Sequence, residues 1–181
     1  MKKFISYGKN VYDKAEINAV TATLKKSTQM GKAVSMFENK ISKIFGKKYG
    51  LMVNSGSSAL ILALKSLNLK NGSEVITPCL NFGTAISSIM LNNLVPILVD
   101  VDIRTLQINP DLIQKKITKK TKAILIPNLI GNIPDWEKIK QIAKKNKLII
   151  IEDSADTLGA KIKNKPTGQF SDVSITSFYG S

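Results

Sequence analysis

The chain has 181 residues, enough for one domain with a real core, and 43% of them are hydrophobic, an ordinary share for a globular protein. No apolar run is long enough to span a bilayer, MKKFISYGKN lacks the apolar stretch of a secretory signal, and one cysteine, Cys79, allows no internal disulfide. With no histidine, these residues cannot build a histidine-dependent triad, zinc site or general base. The net charge is +14, from 27 Lys+Arg against 13 Asp+Glu. Arg104 is the only arginine, whereas sequence-reading proteins depend on arginine forks. The lysines, with runs at Lys115-Lys116, Lys119-Lys120 and Lys144-Lys145, read as solvated helix faces. The expectation is a cytoplasmic protein with neither a nucleic-acid nor a membrane partner, whose positive field would still attract a phosphorylated small molecule.

In chain order, Asp13 to Ser27 predicts a helix with Ile17, Val20 and Leu24 on one face. Val34 to Phe45 repeats the pattern with Val34, Phe37, Ile41 and Phe45. Tyr49 to Val53 is expected as a short strand running into Asn54-Ser55-Gly56-Ser57-Ser58, followed by a helix over Ala59 to Leu67. Asn71-Gly72 marks a turn. Glu74 to Thr77 reads as a strand stopped by Pro78, Phe82 to Leu91 as a helix, and Pro96 to Val101 as a strand. Helices at Asp111 to Ile117 and Asp135 to Lys145 flank a strand at Ala123 to Ile126. Leu148 to Ile151 and Val173 to Phe178 are the last two strands. The alternation predicts an α/β fold, a three-layer α/β/α sandwich with a mostly parallel sheet.

Two features carry chemistry. In LIIIEDSAD, Leu148 to Asp156, an apolar run without polar alternation reads as a strand buried on both faces, ending in the adjacent carboxylates Glu152 and Asp153. Ligands of open parallel sheets bind outside the carboxyl ends of the strands, where these two residues fall. A buried carboxylate needs a cationic partner, although Asp and Ser at a strand end also suit a helix cap. The second feature is a strand, then NSGSS, then a helix. Small residues let backbone approach a ligand, and a helix N-terminus offers free N–H groups to an anion such as phosphate. It lacks the GK[ST] ending of a Walker motif, and an ordinary capped loop would look the same. A phosphate cradle with a buried carboxylate suits pyridoxal 5'-phosphate, whose protonated ring nitrogen pairs with an Asp.

Five blocks carry a resemblance: MGKAVSMFENKISKIFGKKYGLMVNSGSSALILAL, EVITPCLNFGTAISSIMLNNLVPILVDVD, IPNLIGNIPDWEKI, IIIEDSADTLGA and GQFSDVSITSFYGS. In these, and in their order over nearly the whole chain, the sequence resembles the DegT-type nucleotide-sugar aminotransferases, fold type I enzymes dependent on pyridoxal phosphate. The resemblance implies that Gly56, Ser57 and Ser58 form the phosphate-binding loop, with Ser177 reaching the same phosphate. It implies that Phe82 stacks on the pyridine ring and that Asp153 pairs with the ring nitrogen. It also implies a nucleotide-sugar substrate, an amino donor such as glutamate, a role in cell-surface polysaccharide biosynthesis, and a homodimer.

Three departures qualify it. Asn128 stands where many members have His, before Gly131. Asp156 stands where the aminotransferases place His or Gln near the phenolic oxygen; an Asp there resembles the sugar 3-dehydrases of the same family. The family's Schiff-base lysine, or the dehydrases' replacing histidine, is expected just after Ser181, and no lysine of this chain lies at that position. The expectation is that residues 1–181 form part of a cofactor-binding large domain, incomplete at its C-terminal side and inactive alone.

Overall fold

The computed structural model describes residues 11–179. Five strands, β1 (Glu74–Pro78), β2 (Val95–Val99), β3 (Thr121–Pro127), β4 (Ile149–Ser154) and β7 (Val173–Thr176), form one sheet in the order β2-β1-β3-β4-β7. Every neighbouring pair is parallel. Strands β5 (Lys161–Ile162) and β6 (Lys165–Pro166) make a small antiparallel hairpin, too short to show in the hydrophobic pattern.

Helices cover both faces. Against one face lie α3 (Gly56–Ser66), which buries Leu60, Ala63 and Leu64, and α4 (Gly83–Leu91), which buries Ala85, Ser88 and Ile89. They pack on Val75, Ala123, Leu125, Ile151 and Ile175. Against the other face lie α5 (Pro110–Lys116), which buries Ile113, and α6 (Trp136–Asn146), which buries Trp136, Ile139 and Ala143. They pack on Ile76, Ile124, Ile126 and Ile150. The two cores take alternate residues of each strand, as a two-sided parallel sheet requires. Each fully buried Ile or Leu contributes about 1.5–3 kcal/mol, so the central strands anchor the fold. Three of these four helices begin at side-chain caps: Ser55 for α3, Asn109 with Pro110 following for α5, and Asp135 for α6.

Helix α1 (Lys14–Lys26) starts at a capping box of Asp13 and Glu16, and α2 (Lys32–Ile44) follows it. The predicted apolar face of α1 forms, but Ile17, Val20 and Leu24 are exposed. Lysines close α5 and α6, where cations favour the helix C-terminus. Among the described residues no helix is long and apolar enough to cross a membrane.

The structure corrects three local expectations. Tyr49 to Val53 is not a strand: Tyr49 and Leu51 are exposed, and the Met52 N–H bonds the Glu38 carboxylate at 2.8 Å. A strand exists only with a ladder partner, and among the described residues this stretch has none. Gly56 to Ser58 are not loop, because capping by Ser55 starts the helix at Gly56. Strand β4 runs on through Glu152 and Asp153 to Ser154, since β3 and β7 continue to pair with it there.

Candidate functional site

The site is built at the carboxyl ends of the parallel strands, on the face covered by α3 and α4. The capping alternative for the two carboxylates does not apply, because β4 runs into a turn and then the β5-β6 hairpin rather than into a helix. Asp153 shares the face of Ile151, and Glu152 leaves β4 on the opposite one. Asp153 is buried, at 5% exposure. Its Oδ1 accepts the Ala155 N–H at 3.0 Å, and Oδ2 has no protein donor among the described residues. Burial pushes its carboxyl up to about 6, with the charges of Asp156 and Glu152 adding and the Ala155 hydrogen bond opposing. A carboxyl held this way gains most from a cationic N–H donor.

The first turn of α3 lies on the same face. Ser55 Oγ accepts the Ser58 N–H at 3.1 Å, so the capping serine satisfies that donor. The N–H groups of Gly56 and Ser57 have no acceptor among the described residues. A Cβ placed on Gly56 would lie 3.1 Å from Ser177 Cβ and 3.3 Å from Ser177 Oγ. Glycine there lets the Ser177 side chain pack against the first residue of α3, although the residues are 177 − 56 = 121 positions apart. Thr176, one residue earlier, binds β4 through its hydroxyl, 3.0 Å from the Ser154 carbonyl, which ties this end of β7 to the Asp153 strand. An open cleft of about 440 Å³ runs beside the α3 turn, lined by Val53, Asn54, Ser58, Ile61 and Leu62.

Phe82 is the N-cap of α4, after the loop leaving β1. Its ring is exposed, at 69%, at the same end and in the same helix layer as Asp153, two strands away in the sheet order. Asp156 is exposed in the loop after β4 and accepts the Ile130 N–H at 3.2 Å, bridging the loops that follow β4 and β3. The position expected to carry the lysine or histidine follows Ser181 and lies outside the described residues.

Asn128 is not in this group. It is fully buried and faces α6: its Nδ2 donates to Glu152 Oε1 at 2.9 Å, and its Oδ1 accepts the Trp136 indole N–H at 2.9 Å. Sequence reasoning missed this network, to which Ser171 and Ser174 also belong. The period-two rule for strands was the available signal, because it sends Glu152 and Asp153 to opposite faces.

Among the described residues, two N–H groups without an acceptor, a buried carboxyl with one oxygen lacking a donor, and an exposed aromatic ring thus lie at one end of the sheet. Residues 10–181 match the DegT/DnrJ/EryC1/StrS aminotransferase family. The chain is 37% identical over 168 residues to dTDP-4-dehydro-2,6-dideoxy-D-glucose 3-dehydratase of Saccharopolyspora spinosa, covering 88% of this chain and 36% of that protein. It is 40% identical over 150 residues to GDP-perosamine synthase of Escherichia coli O157:H7, covering 83% of this chain and 41% of that protein. A sugar aminotransferase of Streptococcus pneumoniae, solved in its pyridoxal phosphate form, superposes with a TM-score of 0.91 at 28% identity, covering 97% of this chain and 49% of that one. The chain thus spans less than half the length of these relatives. By sequence and by fold, the chain belongs to the DegT/DnrJ/EryC1/StrS aminotransferase family.

Proposed function

We propose that these residues form the cofactor-binding layer of a pyridoxal 5'-phosphate enzyme that aminates a nucleotide-linked keto-sugar for surface polysaccharide. The observation that carries this reading is Asp153: buried, held at about 6, and with Oδ2 unclaimed, in one layer with the Gly56–Ser57–Ser177 cradle. The residues fit the cofactor on two counts. The cradle holds two unpaired N–H groups and a hydroxyl where a Cβ would intrude, which suits a phosphate. The free Asp153 oxygen suits a protonated ring nitrogen.

When bound, pyridoxal phosphate supplies a protonated aromatic ring that accepts electrons from the carbon next to the reacting amine. The chain's own work is to hold and to bias. The N–H groups of Gly56 and Ser57 and the Ser177 hydroxyl bind phosphate, with Ser58 kept in place by the Ser55 cap. Phe82 offers a ring face for stacking. Asp153, ionised against the cation, keeps the proton on the ring nitrogen. That pairing offsets the burial that otherwise holds the carboxyl up.

The remaining parts of the reading rest on family membership. They are a nucleotide-sugar substrate, glutamate as amino donor, a cytoplasmic homodimer, and a large domain that residues 1–181 make only in part. Loss of a sugar hydroxyl is the second reading, favoured by Asp156 and by the similarity to a 3-dehydratase. A lysine following Ser181 would serve transamination, and a histidine dehydration.

The test is to purify the intact protein and measure retained pyridoxal phosphate. It is then incubated with glutamate and nucleotide keto-sugars, and the sugar products are read by mass spectrometry. Gain of an amine supports the first reading and loss of a hydroxyl the second. A protein that retains no pyridoxal phosphate and changes no sugar overturns both.

A further inference from the structure

Glu152 is fully buried beside Asp153 in sequence, but on the opposite face of the sheet. Four donors close on its carboxyl group. Asn128 Nδ2 at 2.9 Å and Ser154 Oγ at 2.8 Å donate to Oε1. Ser174 Oγ at 2.7 Å and Ser171 Oγ at 3.1 Å donate to Oε2. Trp136 Nε1 fixes Asn128 in turn, at 2.9 Å. A carboxylate is an acceptor with about four lone-pair positions, and this site meets them with donors alone. The geometry is four side-chain donors around one carboxyl group.

A buried charge needs a counter-ion. Lys47 is placed to serve: its ammonium donates to the Ser171 carbonyl at 2.5 Å and to Ser171 Oγ at 3.3 Å, one hydroxyl away from Glu152. Burial pulls the Lys47 ammonium below the usual lysine range, with Lys140 adding to this while Glu152 and Asp172 oppose it. The phosphate cradle and the ring contact use none of these groups.

We propose that Glu152 is a positioning residue that acts on Asp153 from behind the sheet, clamping the end of β4 and adding a second negative charge that strengthens Asp153's hold on a ring-nitrogen proton. This rests on the pyridoxal phosphate reading above. The clamp is visible in the backbone, because the Asn128 N–H donates to the Asp153 carbonyl at 2.8 Å while its side chain grips Glu152. On the other side Ser174, paired in register with Glu152 across β4 and β7, donates to the same carboxyl. The charge acts in the same sense as Asp156, both holding the Asp153 carboxyl up after burial itself. Lys47, a cation one hydroxyl away whose charge opposes that of Glu152, works against it.

Opposite charges give opposite signs, and a purely structural network would not. Glu152→Gln keeps the shape, and its amide can still accept from Asn128 and donate to the serine hydroxyls. Lys47→Met removes the offsetting cation. The readout is the ¹⁵N shift of ring-labelled pyridoxal phosphate bound to the intact protein, followed against pH, with the melting temperature measured alongside. Glu152→Gln should release the ring-nitrogen proton about one pH unit lower than wild type, a tenfold loss of proton affinity. Lys47→Met should move it upward. If Glu152→Gln fails to fold, Lys47→Met decides alone by its sign. A Glu152→Gln titration that matches wild type, or a Lys47→Met shift that is downward or absent, overturns the proposal. A wild-type protein that binds no labelled cofactor overturns the cofactor reading itself, and this inference with it.

Discussion

Replacing Asp153 with Asn separates stability from function. The Asp153 carboxyl is held at about 6 against an ordinary 3.8, chiefly by burial. Because the folded value lies above the unfolded one, the folded protein takes up this proton more readily. The stability so gained is complete below about pH 4 and is lost as the pH rises through about 6. The gap, 6 − 3.8 = 2.2 pH units, corresponds to roughly 3 kcal/mol between those limits. The asparagine carboxamide can still accept the Ala155 N–H, but it cannot ionise. Relative to wild type, the cofactor-free Asp153→Asn protein should therefore gain about 3 kcal/mol in stability between about pH 4 and pH 7.5. At the same time turnover should fall about 100-fold or more, because an amide cannot hold the ring-nitrogen proton as a carboxylate does. Urea denaturation of the intact cofactor-free protein across that range, with steady-state rates on the loaded enzyme, measures both. A stability difference that is flat with pH, or one of the opposite slope, refutes the reasoning.

Further expectations follow from single contacts. Cofactor affinity, measured by absorbance titration, should rise with pH through about 6 in wild type as Asp153 ionises, and Asp153→Asn should abolish that rise. Gly56→Ala should weaken cofactor binding in the same absorbance titration, because its Cβ would lie 3.1 Å from Ser177 Cβ and 3.3 Å from Ser177 Oγ. Trp136→Phe leaves the buried Asn128 Oδ1 without its donor and should cost about 1–3 kcal/mol in denaturant midpoints. Gly168→Ala drives a Cβ onto the Phe45 carbonyl oxygen and should prevent stable folding, seen as aggregation on expression.

Much of the fold was legible because its signals are local. The strand cores at Val75-Ile76 and at Ala123 to Ile126 are continuous apolar runs, and α3, α4 and α6 bury residues at helical spacing. Tyr49 to Val53 carries the same kind of apolar signal, yet strand formation depends on a neighbour, which local sequence does not encode. Asp153 stood out because a carboxylate at the end of an apolar run demands an explanation. The Glu152 network was hidden because its donors are ordinary Ser and Asn residues scattered from Asn128 to Ser174, with no spacing rule to join them. Only tertiary register brings them together. Asn128 shows the limit of motif reading: it stands out as an expected departure from the resemblance, but the fold turns its side chain away from Asp153 and into that network.

The central claim is that Asp153 and the Gly56–Ser57–Ser177 cradle grip the two ends of one cofactor. The structure of the intact protein crystallised with pyridoxal phosphate tests it most directly. The account predicts the phosphate on the Gly56 and Ser57 N–H groups and the Ser177 hydroxyl, and the ring nitrogen at about 2.7–2.9 Å from Asp153 Oδ2. A phosphate bound elsewhere, or a ring nitrogen that does not reach Asp153, would contradict it.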